Sequence, residues 1–196
     1  MDLASGAWRY AALPLLAAVP LAFFTPAGSV AALALTVAVL LFFRDPERNP
    51  PSSGVVAPAD GKVSVVREED GRVRVGVFMN VTDVHVNRAP LDGVVRDVTH
   101  TPGAHRPAFS KDSDRNERVT VQFDEFRVVL IAGWFARRIH PYVEPGDDLA
   151  RGDRIGHIAF GSRADVVLPA EYTRADVTVE RGDKVRAGET VLARTK

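Results

Sequence analysis

The sequence predicts a mainly β fold, a β-sandwich domain of hybrid-motif type preceded by an apolar helical hairpin. Three observations carry this. From Gly54 onward, short β-branched runs alternate with Gly, Asp and Asn turns, and period-two alternation is clear in Arg72–Val75 and Val119–Phe123. No run there longer than about ten residues has helical spacing. Before it, Tyr10–Phe43 is a stretch of 34 residues without a charge.

The apolar stretch divides at Thr25–Ser29, a turn signal of Thr, Pro, Ala, Gly and Ser. A bilayer core needs about 20 apolar residues in a helix, and each half is shorter than that. Pro14 and Pro20 are expected to interrupt the first half. The reading is a hairpin over residues 1–44 that dips into or crosses the membrane. Arg9 precedes it and Arg44 and Arg48 follow, so the positive-inside rule puts both ends in the cytoplasm. A cleaved signal peptide and a buried core hairpin compete with this reading. The single leading charge and the long apolar run argue against the first. The small size of the domain argues against the second. Residues 45–53 read as a stiff proline-rich linker and 54–196 as the β-rich domain.

The remaining β signals run in order through VVAPADGKVSVV, GRVRVGVFM, GVVRDVTH, RVTVQF, FRVVLIAGWFA, DVVLP, DVTVE and TVLART. Thr101–Asn116 is polar and reads as a loop. Glu144–Ile155 can be laid over Glu180–Val191 at an offset of 36, with Gly146 on Gly182 and Gly152 on Gly188. In each copy Gly supplies a positive φ and Asp caps the turn. These hairpins resemble those of biotinyl and lipoyl domains, with Val56–Val63 as partner strand. That likeness keeps a non-enzymatic alternative open, a membrane-tethered carrier or adaptor. Such a carrier needs a lysine at the hairpin tip, and Phe160–Arg163 (FGSR) follows the first copy instead.

Composition removes other classes. Among 196 residues there are 25 Lys and Arg against 25 Asp and Glu, so a strongly basic nucleic-acid binder is excluded. Without cysteine there is no disulfide framework, thiolate metal site or thiol nucleophile. Abundant Ala and Val, with Arg outnumbering Lys, suggest a GC-rich bacterial genome. Five histidines, His85, His100, His105, His140 and His157, show no metal-ligand spacing, so no metal site is expected. On local evidence Gly161-Ser162 is a turn between strands.

Five phrases occur in order: PADGKV (Pro58–Val63), FMNVTDVHVNRAPLDG (Phe78–Gly93), NER (Asn116–Arg118), ARRI (Ala136–Ile139) and FGSRADVVLP (Phe160–Pro169). Together they resemble the short form of the phosphatidylserine decarboxylase family, membrane-anchored pyruvoyl enzymes made as proenzymes. The resemblance spans nearly all of residues 54–196. It implies self-cleavage at Gly161-Ser162 into a β subunit, 1–161, and an α subunit, 162–196. Ser162 becomes a covalent pyruvoyl group, the cofactor, which forms a Schiff base with the substrate amine and acts as electron sink. The implied reaction converts phosphatidylserine to phosphatidylethanolamine and carbon dioxide. The implied partners are the phospholipid, the membrane and the two subunits, as a heterodimer or a higher oligomer. The implied location is the bacterial cell membrane, with the catalytic domain on the cytoplasmic side.

The resemblance also offers helper residues. Asp60 and His85 would join Ser162 as orienting carboxylate, base and nucleophile. The long forms read D-x-H-x-x-H-x-P, whereas this chain has Asp83-Val-His85-Val-Asn-Arg88-Ala-Pro90, with Arg88 in place of the second histidine. Self-cleavage, decarboxylation or both therefore remain open for His85. Arg88, Asn116, Glu117 and Arg118 are candidate substrate contacts. Asp60 as a turn cap, His85 as a structural histidine and Asn116–Arg118 as a solvated turn are the structural alternatives. Arg137 and Arg138 read as a surface pair that could face anionic headgroups. The other four histidines read as structural or surface residues.

Overall fold

The computed structural model describes residues 2–104, 115–133, 138–159 and 161–195. The chain divides into two compact units, Met1–Glu47 and Arg48–Lys196.

The first unit is a helical hairpin closed by a small ladder. Strand β1 (Asp2–Leu3) pairs antiparallel with β2 (Arg44–Asp45), and between them lie α1 (Ala7–Phe24) and α2 (Pro26–Phe42). The expected interruptions at Pro14 and Pro20 do not occur, because α1 runs through both. Each proline removes one backbone hydrogen bond, a loss that an otherwise continuous apolar helix tolerates. The turn is also tighter than its five-residue signal. Thr25 alone separates the helices, and Pro26 opens α2 at a position where no amide bond is needed. The Ser29 hydroxyl donates to the Ala18 carbonyl at 2.8 Å, tying the two helices together. Leu13, Leu16, Val19, Val30 and Val37 stand exposed, and Phe23 and Phe24 beside the turn are each 83% exposed. Helix α1 is long and apolar enough to cross a membrane, and α2 is a shorter apolar helix.

The described residues of the second unit form β-strands and their connections, among them a 3₁₀ turn at Arg174–Asp176. Its strands are β3 (Val55–Val56), β4 (Gly61–Glu69), β5 (Arg72–Phe78), β6 (Val86–Arg88), β7 (Gly93–Thr101), β8 (Arg118–Phe123) and β9 (Arg127–Ile131). They continue as β10 (Ile139–Pro141), β11 (Asp148–Leu149), β12 (Arg154–Ile158), β13 (Arg163–Val167), β14 (Lys184–Val185) and β15 (Val191–Ala193). Eight of them form one curled antiparallel sheet in the order β11-β7-β8-β9-β13-β5-β4-β14. Smaller ladders join β10-β12-β6 and β15-β3. The expected β character holds, while the likeness to biotinyl and lipoyl domains remains one of hairpin sequence. A strand expected over Asp176–Glu180 is absent. The Asp176 carboxylate instead caps the 3₁₀ turn through the Thr173 amide and hydroxyl, leaving one bridge, Val177 to Ala193. The expected loop Thr101–Asn116 falls mostly outside the described residues.

Alternation puts Val73, Val75, Val77, Val119, Val121, Val128, Leu130, Ala164 and Val166 in one contiguous core with Ile155 and Ile158 of β12. The sheet order also has an internal symmetry. The 36-residue repeat becomes two matching hairpins. Gly146 and Gly182 have φ near +103° and +105°, and both amides donate to a strand carbonyl, Val95 and Val63 respectively. The strands they dock on repeat as well. Ala57–Val63 (APADGKV) and Ala89–Val95 (APLDGVV) follow each other at an offset of 32. Asp60 accepts from the Ala187 amide at 2.8 Å, as Asp92 does from the Arg151 amide at 2.7 Å. The two halves of the sheet meet where β9 pairs with β13.

Candidate active site around Ser162

Gly161 and Ser162 lie between β12 and β13, and β13 is bonded on one edge to β5 and on the other to β9. Gly161 has φ +65°, in the left-handed region, while a Cβ there would meet nothing within 4 Å. Backbone conformation, not space, is what glycine supplies. Ser162 is fully buried. Its carbonyl accepts from the Met79 amide at 2.8 Å, and its hydroxyl lies 3.9 Å from the Met79 sulfur.

The start of β13 is fixed by charge. Arg163 grips Asp165 with two hydrogen bonds of 2.7 and 2.9 Å, both side chains being buried. Arg74 reaches the same carboxylate at 3.6 Å and Glu69 at 3.0 Å. Gly76 makes room for this arrangement, since a Cβ there would sit 2.5 Å from Asp165 Oδ1. A buried, bidentate pair of this kind holds its strand in a single geometry.

His85 is buried just before β6, and its Nδ1 lies 2.9 Å from the Asp83 carbonyl oxygen. A carbonyl only accepts, so Nδ1 carries the hydrogen and Nε2 is the basic nitrogen of the neutral ring. Two residues on, within β6, stands the buried Asn87. Its amide nitrogen lies 3.5 Å from the Met79 sulfur and 3.4 Å from the Pro58 carbonyl. Met79 thus touches both Ser162 and Asn87. Sequence reading missed Asn87, although it lies in the phrase that contains His85.

The other candidates are placed as follows. The Asp60 carboxylate is engaged by Arg48 at 2.9 and 3.0 Å and by the Ala187 amide. Arg88 is buried and donates to the Gly152 carbonyl at 3.1 Å. Asn116 is fully buried and donates to the Ala132 carbonyl at 2.8 Å, which fixes the end of β9. Glu117 accepts from His100 at 2.9 Å. Arg118 lines a cleft of about 290 Å³ with Glu69, Arg74, Thr120 and Arg127 on the sheet face that carries Arg163. Arg138 is exposed, while His105 and Arg137 lie outside the described residues.

His140 and His157, read from sequence as structural or surface residues, form a cluster on paired strands. Their rings stack at 4.6 Å, and the Tyr142 hydroxyl lies 2.7 Å from His157 Nδ1. Burial, with help from the charges of His140 and His85, lowers the His157 pKa to about 4.

A larger cleft of about 760 Å³ opens at Phe78, whose register partner on β13 is Arg163. Its lining includes Asp60, Gly61, Lys62, Phe78, Asp83 and Lys184. Gly61 packs so closely that a Cβ would meet the Phe78 carbonyl oxygen.

A fully buried serine behind a left-handed glycine, at the head of a central strand and beside a methionine that also meets the buried Asn87, forms the candidate site. The family model for phosphatidylserine decarboxylase matches residues 35–193. A Halobacterium salinarum protein with the provisional name archaetidylserine decarboxylase proenzyme is 64% identical, over 95% of this chain and 96% of its own. Phosphatidylserine decarboxylase proenzymes of Thermobifida fusca and Streptomyces avermitilis are each 50% identical. They cover 93% and 86% of this chain and 88% and 79% of theirs. The chain belongs to the phosphatidylserine decarboxylase family.

Proposed function

We propose that the chain is a proenzyme that cuts itself at Gly161-Ser162 and then decarboxylates a serine phospholipid, phosphatidylserine to phosphatidylethanolamine. The relatives differ in the lipid named, archaetidylserine or phosphatidylserine, and share the serine headgroup. The observation that carries the reading is the buried Ser162 hydroxyl behind the left-handed Gly161.

In this reading the Ser162 oxygen attacks the Gly161 carbonyl carbon and the peptide C–N bond breaks, leaving an ester. A base then takes the Ser162 α-proton, and the Gly161 carboxylate departs. Water releases ammonia from the remaining dehydroalanine, and a pyruvoyl group caps the new chain. The site suits that group, being buried and polar, with the Ser162 carbonyl already fixed by Met79. When formed, the ketone supplies the electron sink for decarboxylation. His85 serves as the base through Nε2, in self-cleavage and in moving the substrate proton. Asp60, set by Arg48 and the Ala187 amide, positions the loop beside it. Arg88, Asn116, Glu117 and Arg118 support or line the site.

The exposed apolar faces of α1 and α2 support a location at the cell membrane, and the arginines flanking the hairpin support a β-rich domain on the cytoplasmic side. The two subunits stay together because β13, β14 and β15 all pair with strands that precede the cut.

Denaturing mass spectrometry tests the reading. Wild type should yield a 35-residue fragment blocked by pyruvoyl at its front, and Ser162→Ala a single inert chain. An active, uncut wild-type chain would refute it. His85→Ala and Asp60→Asn should slow both the appearance of fragments and carbon dioxide release per matured chain, followed on gels and by gas capture. Wild-type rates in both assays would remove His85 from the mechanism.

A further inference from the structure

The helical hairpin is tied shut at one end and open at the other. At the closed end Asp2 pairs with Asp45 and Leu3 with Arg44, and the Ala4 amide donates to the Phe43 carbonyl at 2.8 Å. The Arg44 guanidinium donates to the Leu41 carbonyl at 2.7 Å, and Tyr10 stacks on Phe43 at 5.1 Å. The start of α1 and the end of α2 therefore share one level, and both stay on the same side of any layer that the hairpin enters. Trp8, Arg9 and Tyr10 stand exposed at that level. An indole, a phenol and a long cation are the side chains that settle where headgroups meet acyl chains.

The open end is the turn at Thr25. Two of its backbone groups are used there, since the Thr25 amide donates to the Leu21 carbonyl and the Thr25 carbonyl accepts from the Ser29 amide. No side chain caps α2, and Pro26 has no amide hydrogen to offer. The carbonyls of Ala22, Phe23 and Phe24 and the amides of Ala27 and Gly28 have no hydrogen-bond partner among the described residues. Nor does the hairpin bury them, because the side chains from Ala22 to Ala27 are all exposed. These groups need water or a lipid headgroup.

Three placements can be compared. A hairpin that ends among the acyl chains leaves its turn dry, and lipid-exposed irregular backbone is not tolerated at that depth. A hairpin lying flat on the surface needs a charged face towards water. None is present, since the exposed side chains include Leu13, Leu16, Val19, Val30 and Val37 and no charge falls between Tyr10 and Phe43. A hairpin that crosses puts the turn at the far surface. Helices of 18 and 17 residues rise about 25–27 Å, against a hydrocarbon core of about 30 Å. Local thinning of the bilayer closes a gap of that size at a smaller cost than leaving the turn dry. We propose that α1 and α2 cross the bilayer and return, so that the Thr25 turn stands among the headgroups of the opposite leaflet. The proposal rests on the membrane location given above and deepens it, for with both ends cytoplasmic the turn is the part of the chain that faces outwards.

The chain has no cysteine, so single-cysteine variants of the full chain report one position each. Thr25→Cys and Ala27→Cys mark the turn, Leu16→Cys the middle of α1, and Ser5→Cys the closed end. Each is expressed in a bacterial host and treated with a membrane-impermeant maleimide, in intact spheroplasts and in inverted membrane vesicles, and labelling of the chain is read on gels. Both turn variants should label in spheroplasts and not in inverted vesicles. Ser5→Cys should do the reverse, and Leu16→Cys should label only after the membrane is dissolved in detergent. Turn variants that label from the same side as Ser5→Cys overturn the crossing, by showing a hairpin that lies on one surface. Turn variants silent in both preparations until detergent is added also overturn it, by showing a turn held among acyl chains. A chain that an alkaline carbonate wash strips from the membrane overturns the membrane location itself, whatever the labelling.

Discussion

Two glycines near Ser162 are required for opposite physical reasons. At Gly161 a side chain has room and the backbone conformation is unfavourable, whereas at Gly76 the missing Cβ is the space in which Asp165 sits. Gly161→Ala should therefore cost about 1–2 kcal/mol of stability, the usual penalty for a left-handed residue with a Cβ. Gly76→Ala should cost on the order of 3 kcal/mol, because it displaces a carboxylate locked by Arg163. Urea unfolding in a Ser162→Ala background, where no cutting intervenes, measures both; equal losses would mean that space matters at Gly161 as well. At this scale the sequence singled out Gly161 and Ser162 through five ordered phrases, and the fold sets them at the head of β13. Met79, Asn87 and the Arg163–Asp165 pair could not. Their placement depends on which strands become neighbours, and β13 lies far along the chain from β5 and β6.

Among the elements, the ladder of β10, β12 and β6 carries a pH dependence. His157 on β12 is faced by His140 and Tyr142 from β10 and its following residue and feels His85 from beside β6. Its pKa falls from 6.5 to about 4 on folding. The unfolded chain then binds a proton that the folded chain refuses. Stability is full above pH 6.5 and declines as pH falls through the interval to about 4, by on the order of 3 kcal/mol at most. His157→Gln, which keeps a partner for Tyr142, should flatten that slope in urea unfolding at pH 7 and pH 4.5. An unchanged slope would assign the acid sensitivity elsewhere. Sequence periodicity located most strands, and the Gly-Asp repeat predicted two hairpins. The second repeat, APADGKV with APLDGVV, was equally present in the letters but has a different offset, 32 against 36, so a single register does not expose both. The prolines of α1 misled because their cost was weighed as in water, for a helix whose side chains are apolar nearly all round.

For the whole molecule, the division at Glu47 and Arg48 separates the apolar hairpin from the β-rich unit. A chain beginning at Arg48 should be soluble and should still cut itself. Its rate on vesicle lipid should fall much further than its rate on dihexanoyl phosphatidylserine, and an equal fall on both would make the hairpin part of the catalytic fold. The hairpin was legible because 34 uncharged residues leave few other options, whereas the curled sheet, made of long-range pairings, was not. The central place of β13 has a further consequence. In the uncut chain, every rung on its two edges is closed within one molecule. If the proposed cut at Gly161-Ser162 is made, the same sheet contains a strand from a second, 35-residue molecule, and re-forming it from the unfolded state becomes an encounter whose rate depends on concentration. On that reading maturation makes folding a one-time event, and the cut protein persists through slow unfolding rather than ready refolding.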